Sequence, residues 1–136
     1  MSLSDKVAGI YKAFGEQNVP AILEHIADDV EWDYGSHSIE VPWLKRREGR
    51  AGAIEFFQNV GNLLSIERFE PKQLFEGDRV VVALLDISFT VNATGNRVDE
   101  KDEIHVFRFN DEGKIAGFRH GVDSYEHFVA FNGGTK

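Results

Sequence analysis

The sequence has no cysteine, which excludes disulfide bonds and cysteine-ligated metal sites. It has no run of about 18 uncharged apolar residues, the length that a membrane-spanning helix needs. A glycine-rich phosphate loop and the nucleophile elbow of serine hydrolases are also missing. Four histidines show no spacing typical of a metal site: His25, His37, His120 and His127. We therefore expect neither a metal nor a cofactor.

Basic residues are outnumbered by acidic ones, with 15 Lys and Arg against 23 Asp and Glu. The formal net charge is −8 at pH 7, which argues against nucleic acid and against an anionic membrane surface as partners, because both are negatively charged. Residues 1–6 lack the apolar stretch of a signal peptide, so the expected location is cytoplasmic.

The composition indicates one folded domain covering residues 1–136. A chain of 136 residues with 42% hydrophobic residues buries enough surface for a core and a pocket. Eleven phenylalanines and two tryptophans provide bulky side chains to line such a pocket.

Apolar spacing predicts helices in the first half of the chain and strands in the second. The predicted helices cover residues 7–14 (capped by Ser4), residues 18–26 (capped by Asn18) and residues 50–64. A strand at residues 30–34 and a long loop at 35–48 separate the last two. Four further strands and a short helix or tail are predicted at residues 66–75, 79–91, 98–109, 115–122 and 125–131. This order indicates an α+β fold, with helices on the concave side of a curved, mostly antiparallel sheet.

The strand at residues 80–91 bears on assembly. One of its faces is apolar throughout, and the other begins with Val80, Val82 and Leu84. Both faces should therefore be covered at this end, but the helices can cover only one. We expect a homodimer that forms through the sheet.

A predicted β-hairpin carries the first candidate chemistry. The strand at residues 104–109 is followed by the turn signal Asn110-Asp111-Glu112-Gly113 and a second strand. His105 shares one strand face with Phe107, whereas Arg108 lies on the other, so the face with His105 should be buried. The second strand ends near Asp123, which makes His105 and Asp123 a candidate acid–base pair.

Three segments resemble one family. The Gly113-Lys114-Ile115 opening, followed by Arg119 and Asp123, is similar to the end of a SnoaL-like polyketide cyclase domain. Residues 26–32 and 49–57 resemble the first strand entry and the third helix of that family. The family is related to the ketosteroid isomerases and limonene epoxide hydrolases of the nuclear-transport-factor-two-like superfamily. The resemblance implies the cone-shaped fold of that superfamily, and related enzymes often dimerise through the sheet.

The resemblance also implies roles for single residues. Asp123 aligns with the strand-end aspartate that the cyclases use as general acid and base, and His105 with a buried hydrogen-bond donor of the isomerases. Asp86 aligns with one epoxide-hydrolase carboxylate, but Leu84 stands where that chemistry needs an arginine. Each residue has a simpler alternative: Asp123 as a helix cap, His105 as a core histidine, and Asp86 as a polar strand residue.

The remaining candidates are aromatic residues expected to line an apolar substrate pocket or, alternatively, an ordinary core: Trp32, Tyr34, Trp43, Phe57 and Phe107. Tyr34 falls by count at the position of the isomerase base, with Asp33 one residue away on the opposite face, so neither is assigned as base. Tyr11 misses the catalytic tyrosine of the family by about one position.

The favoured function is a cofactor-free isomerase or aldol-type cyclase that acts by proton transfer on an apolar cyclic or polyketide-like carbonyl compound. Asp123 is the expected acid and base, and His105 stabilises the enolate or relays the proton. The alternatives are a non-catalytic binding or dimerisation module and, weakened by Leu84, an epoxide hydrolase.

Overall fold

The computed structural model describes residues 2–37 and 40–133, so two residues of the predicted loop at 35–48 lie outside the described part. The α-helices are α1 (Leu3–Gly15), α2 (Val19–Leu23), α3 (Gly49–Leu63) and α4 (Ser124–Phe131). The strands are β1 (Ile26–Trp32), β2 (Arg47–Glu48), β3 (Leu64–Gly77), β4 (Val80–Val91), β5 (Arg97–Phe109) and β6 (Ile115–Gly121). They form one sheet in the order β2-β1-β6-β5-β4-β3, antiparallel except for β1 beside β6. The predicted α+β fold with a curved, mostly antiparallel sheet is confirmed.

Two helix ends differ from the prediction. Helix α1 is capped by Ser2, because Ser2 and Asp5 exchange side-chain and backbone hydrogen bonds in a capping box. The predicted cap Ser4 instead donates its backbone N–H to Glu76 at 2.9 Å. Helix α2 is capped by Asn18 as predicted but ends at Leu23, because Ile26 already pairs with β6 as a strand residue.

Strand β1 begins and ends earlier than the predicted strand at residues 30–34. It ends at Trp32 because Asp33 has a φ of 51°, a left-handed conformation that Asp tolerates better than most residues. The chain turns there, and strand alternation no longer holds. Asp33 is therefore directed inward, with 2% of its surface exposed, while Tyr34 leaves the inner face.

Helices α1, α2 and α3 cover one face of the sheet, where the core lies. The inner face of β4 is fully or almost fully buried: Val81, Ala83, Leu85, Phe89 and Val91. Each large side chain of this kind contributes roughly 1.5–3 kcal/mol by leaving water. Within the described residues, no helix is long and apolar enough to cross a membrane.

The predicted hairpin joins β5 to β6. Asn110 closes its turn by accepting hydrogen bonds from the backbone N–H groups of Glu112 and Lys114, each at 3.0 Å. The resulting register pairs His105 with His120. This pairing brings two imidazole side chains to the same place on the inner face of the sheet.

Candidate functional site

A pocket of about 80 Å³ lies between the helices and the inner face of the sheet. Its wall is formed mainly by aromatic and aliphatic side chains. Five residues bring ionisable groups to this apolar wall: Tyr11, Glu103, His105, His120 and His127. A few polar groups in an otherwise apolar concave site are the usual composition of a small-molecule site.

The structure separates the residues that the sequence predicted for the site. Those in the pocket wall are His105, Trp32, Trp43, Phe57 and Phe107. Those outside it are Tyr34, Asp86 and Asp123. For the five in the wall, a role in binding or catalysis stays a prediction.

Asp123 lies outside the pocket and caps helix α4, so its predicted position beside the substrate is corrected. Its Oδ1 accepts a hydrogen bond from the backbone N–H of Glu126 at 3.1 Å, and its side chain is exposed. Strand β6 ends at Gly121, and no bulge near that glycine redirects Asp123 inward. The capping alternative therefore describes what this residue does in the structure.

Asp86 lies on the outer face of the sheet, between the inward-facing Leu85 and Ile87. It accepts hydrogen bonds from Lys72 at 2.8 Å and Arg68 at 3.2 Å. These contacts, together with a backbone N–H bond, hold the pKa of Asp86 below its ordinary value. The two carboxylates of an epoxide hydrolase are thus not brought together, since neither Asp86 nor Asp123 lines the pocket.

Tyr34 belongs to the outer face as well. Its hydroxyl oxygen accepts a hydrogen bond from Arg108 Nε at 3.0 Å, and the Arg119 guanidinium lies 5.7 Å from its ring centre. The predicted position of Tyr34 in the pocket is therefore wrong, because the turn at Asp33 changes the strand alternation.

The polar side chains of the pocket form three hydrogen-bonded sets. The first set is a buried chain of three side chains. Glu103 Oε2 is 2.7 Å from His105 Nε2, and His105 Nδ1 is 2.7 Å from the Tyr11 hydroxyl. A carboxylate can only accept, so Nε2–H donates to Glu103, and the neutral imidazole accepts from the Tyr11 O–H at Nδ1. A proton can therefore move along the chain from Tyr11 to His105.

The second set is a histidine–carboxylate pair. His120 Nδ1 donates to the Asp33 carboxylate at 2.9 Å, and the backbone N–H of His120 donates to the same carboxylate at 2.8 Å. The His120 ring centre lies 5.0 Å from that of His105. Among the hydrogen bonds of the described residues, none uses His120 Nε2, which leaves that nitrogen for a ligand in the pocket.

The third set joins the pocket to helix α4. Trp43 Nε1–H donates to His127 Nδ1 at 3.0 Å, and His127 Nε2 donates to Glu100 at 2.7 Å. In this arrangement Nδ1 is the acceptor and Nε2 carries the proton. Both nitrogens are occupied, and His127 therefore serves to position helix α4 rather than to transfer protons.

The environments of the two central histidines shift their pKa values in opposite directions. Burial lowers the pKa of His105, and Glu103 offsets this only in part. Burial also acts to lower the pKa of His120, but the Asp33 carboxylate more than offsets it, so the pKa of His120 lies above its ordinary value. Burial raises the pKa of Tyr11. The two environments thus favour the neutral form of His105 and the protonated form of His120.

Among the residues that the structure describes, two groups of side chains could hold a metal ion: Glu103 with His105 and His120, and Glu100 with Glu103 and His127. In each group the ligand atoms lie within 4.8 Å of one another. However, Glu103 and His105 already share a hydrogen bond of 2.7 Å, as do Glu100 and His127. A metal would have to break these bonds, so the geometry favours a proton-transfer network.

Sequence reasoning missed Glu103, His120 and Asp33. The spacing of Glu103 and His105, two residues apart on one strand face, was one available signal. The register of the predicted hairpin was another, because it places His120 opposite His105. Asp33 gave no such signal, since its inward direction depends on a left-handed turn that alternation does not predict.

Comparison with known proteins agrees with this architecture. The sequence profile of the SnoaL-like domain family matches residues 7–118, and the chain belongs to that family. No curated protein matches it significantly.

Solved structures share the fold at low sequence identity. A nuclear-transport-factor-two-like protein of unknown function from Burkholderia pseudomallei is 24% identical, with a TM-score of 0.83 over 96% of this chain and 98% of that one. TerC, co-crystallised with polyporic acid, is 20% identical, with a TM-score of 0.79 over 96% and 98%. A candidate polyketide cyclase from Xanthomonas campestris is 18% identical, with a TM-score of 0.74 over 95% and 96%.

Proposed function

We propose that this protein is a cofactor-free isomerase or aldol-type cyclase that moves a proton on an apolar cyclic or polyketide-like carbonyl compound. One observation carries the proposal. Two imidazoles with opposite pKa shifts stand 5.0 Å apart in a mostly apolar pocket, and each is held by a buried carboxylate. Acid–base catalysis needs one group that gives a proton and one that accepts it. Two neighbouring groups whose pKa values are shifted in opposite directions can take these two roles.

His120 is the proposed acid. As an imidazolium held by Asp33, it directs its second N–H from Nε2 toward the carbonyl oxygen of the substrate. That hydrogen bond strengthens as the oxygen gains negative charge, so it stabilises the enolate more than the ketone.

The chain formed by Tyr11, His105 and Glu103 is the proposed base, in place of Asp123. The proton leaving the carbon next to the carbonyl passes to the Tyr11 oxygen while the proton of Tyr11 passes to His105 Nδ1. The C–H electron pair becomes the new C=C bond, and the carbonyl π pair moves to oxygen. Glu103 stabilises the imidazolium that forms on His105. If the substrate carries a neighbouring C=C bond, return of the proton from Tyr11 to the far carbon of the dienolate gives an isomer, and His105 returns its proton to Tyr11. Alternatively, attack of the enolate carbon on a second carbonyl closes a ring, and the alkoxide formed from that carbonyl takes the proton from Tyr11.

The size of the pocket restricts the substrate. An engineered protein cavity of about 150 Å³ holds benzene, so a pocket of about 80 Å³ admits even a one-ring ligand only if its walls move. The half-buried Phe14 and Phe57 are the walls best able to do so. The candidate cyclase and the ligand-bound TerC among the similar structures support a small-molecule site.

Hydrogen–deuterium exchange tests the proposal without knowledge of the natural substrate. We expect the protein in D₂O to accelerate exchange of the protons next to the carbonyl in small cyclic ketones, measured by NMR. Tyr11→Phe removes the hydroxyl of the relay and should slow this exchange by about 10²-fold. Tyr125→Phe is the matched control, because Tyr125 is 68% exposed, and it should leave the rate unchanged. Ketone binding without any accelerated exchange would support the binding-module alternative instead.

We also propose a homodimer that forms through the outer face of the sheet. On that face Val82 pairs with Val106 and Leu84 with Ile104, and Ile104 is 38% exposed. These side chains form a contiguous apolar patch, and a second copy of the chain can cover it with the same patch.

Sedimentation equilibrium tests the dimer. We expect a mass of twice 15.3 kDa for the wild type at micromolar concentration. Ile104→Glu should give a monomer, because a charge is costly to bury in an apolar interface. Ile54→Glu is the matched control, since Ile54 is 37% exposed on helix α3 and should leave the dimer intact. A monomeric wild type would contradict the proposal.

A further inference from the structure

The indole of Trp32 carries a hydrogen-bond donor that no other described residue accepts. Trp32 is 3% exposed and belongs to the pocket wall. Its Nε1 atom is buried and has no hydrogen-bond partner among the described residues. An unpaired buried donor is unfavourable, and such groups are rare enough in folded proteins to call for an explanation.

The surroundings of Trp32 do not supply a partner. Phe118 stacks on the indole face, with ring centres 4.4 Å apart, and Phe56 lies at 5.1 Å. These neighbours are hydrocarbon, and a contact of an N–H group with an aromatic ring is much weaker than a bond to oxygen. The other tryptophan differs, because Trp43 Nε1–H is bonded to His127.

The unpaired donor is close to the acid–base groups but separate from them. Phe56 and Phe118, which contact Trp32, also contact the His120 ring, with centre distances of 5.5 and 4.8 Å. The indole and the His120 imidazole thus pack against the same two phenylalanines, and both residues line the pocket.

We propose that Trp32 Nε1 is a ligand-binding donor, and that the pocket selects a ring with two acceptor oxygens on different carbons. One oxygen accepts from Trp32, and the other lies at His120. The placement of the second oxygen at His120 rests on the proposed function, whereas the role of Trp32 does not. It makes Trp32 a specificity-determining residue, because a pocket with a buried donor discriminates against ligands that leave the donor unpaired.

Indole NMR signals test this in the intact protein. The protein labelled with ¹⁵N gives two indole signals, and Trp43→Phe assigns them. Titration with cyclohexane-1,4-dione should shift the Trp32 indole proton downfield, whereas cyclohexane should not. Trp32→Phe keeps an aromatic ring but removes the donor, and it should weaken dione binding by about five- to tenfold. Binding of cyclohexanone, whose single oxygen is expected at His120, should change by less than twofold.

Three results would overturn the inference: no dione binding at millimolar concentration, dione binding that shifts other signals but not that of Trp32, and equal dione affinity in Trp32→Phe. The shift in the wild type does not depend on whether the variant folds. Failure of the proposed function is distinguishable, because it would abolish ketone exchange while leaving the response of Trp32 to the dione intact.

Discussion

Replacing Glu103 by glutamine should lower the rate of ketone exchange by about 10²–10⁴-fold, the usual scale of lost acid–base assistance. Glutamine keeps the size of the side chain but not the charge that stabilises a protonated His105. It can also present its amide N–H₂ to His105 Nε2, which would favour the tautomer with the proton on Nδ1. That tautomer cannot accept the proton of Tyr11, so the relay stops.

The effect of Glu103→Gln has a pH signature. Glu103 is the main group that opposes the effect of burial on His105, so without its charge the pKa of His105 should fall further below its ordinary value. The alkaline limb of the rate profile, which depends on a protonated His120, should also move to lower pH, because Glu103 helps to raise the pKa of His120. Rates measured between pH 5 and 9 would show both changes, whereas a purely structural role would lower the rate equally at all pH values.

Two controls make the Glu103 result specific. Glu55→Gln removes a carboxylate that pairs with the buried Arg47 outside the pocket, and it should leave exchange unchanged. Treatment with a chelator should have no effect on the wild type. Loss of activity with chelator, restored by a divalent ion, would instead assign Glu103 and His105 to metal binding.

The fold was predictable because its signals are local and repeat along the chain. The apolar stripe of helix α3, the alternation of β4 and the turn at Asn110 each indicate the element that forms there. The family resemblance then supplied the arrangement of these elements. The incorrect predictions concern the ends of helices and strands, where neighbouring residues compete to form the cap. Ser2 rather than Ser4 caps helix α1, because only Ser2 has Asp5 three residues later.

The site was less predictable because it depends on contacts between distant parts of the chain. His105 was assigned correctly to a buried aromatic face, and the structure adds the groups that orient it. Asp123 was assigned by alignment, yet the segment after it forms a helix, and the carboxylate caps that helix. Asp33 is 87 residues from His120 along the chain, so only the parallel pairing of β1 with β6 brings them together.

Asp33 provides the prediction with the largest expected effect on stability. Asp33→Ala removes the carboxylate that holds a buried His120, and breaking such a pair costs about 3–5 kcal/mol of unfolding free energy. It also places alanine at a φ of 51°, which is strained for that residue. Asp33→Asn tolerates the left-handed conformation and keeps an acceptor oxygen, so its loss should be smaller. Urea unfolding measures both, with the exposed Asp28→Asn on the same strand as control.

The pH dependence of the unfolding free energy distinguishes the contribution of the Asp33 charge from that of the shape of its side chain. The pKa of His120 is raised in the folded protein above 6.5, so the folded state binds more protons than the unfolded state at pH values just above 6.5. The stabilisation is fully present below pH 6.5 and is lost as the pH rises through the folded pKa. Asp33→Asn removes the charge that raises this pKa, so the alkaline fall in stability should disappear, and NMR titration should show the pKa of His120 reduced. An unchanged pKa for His120 in Asp33→Asn would show that Asp33 does not hold the imidazolium, and His120 could then not be the acid of the reaction.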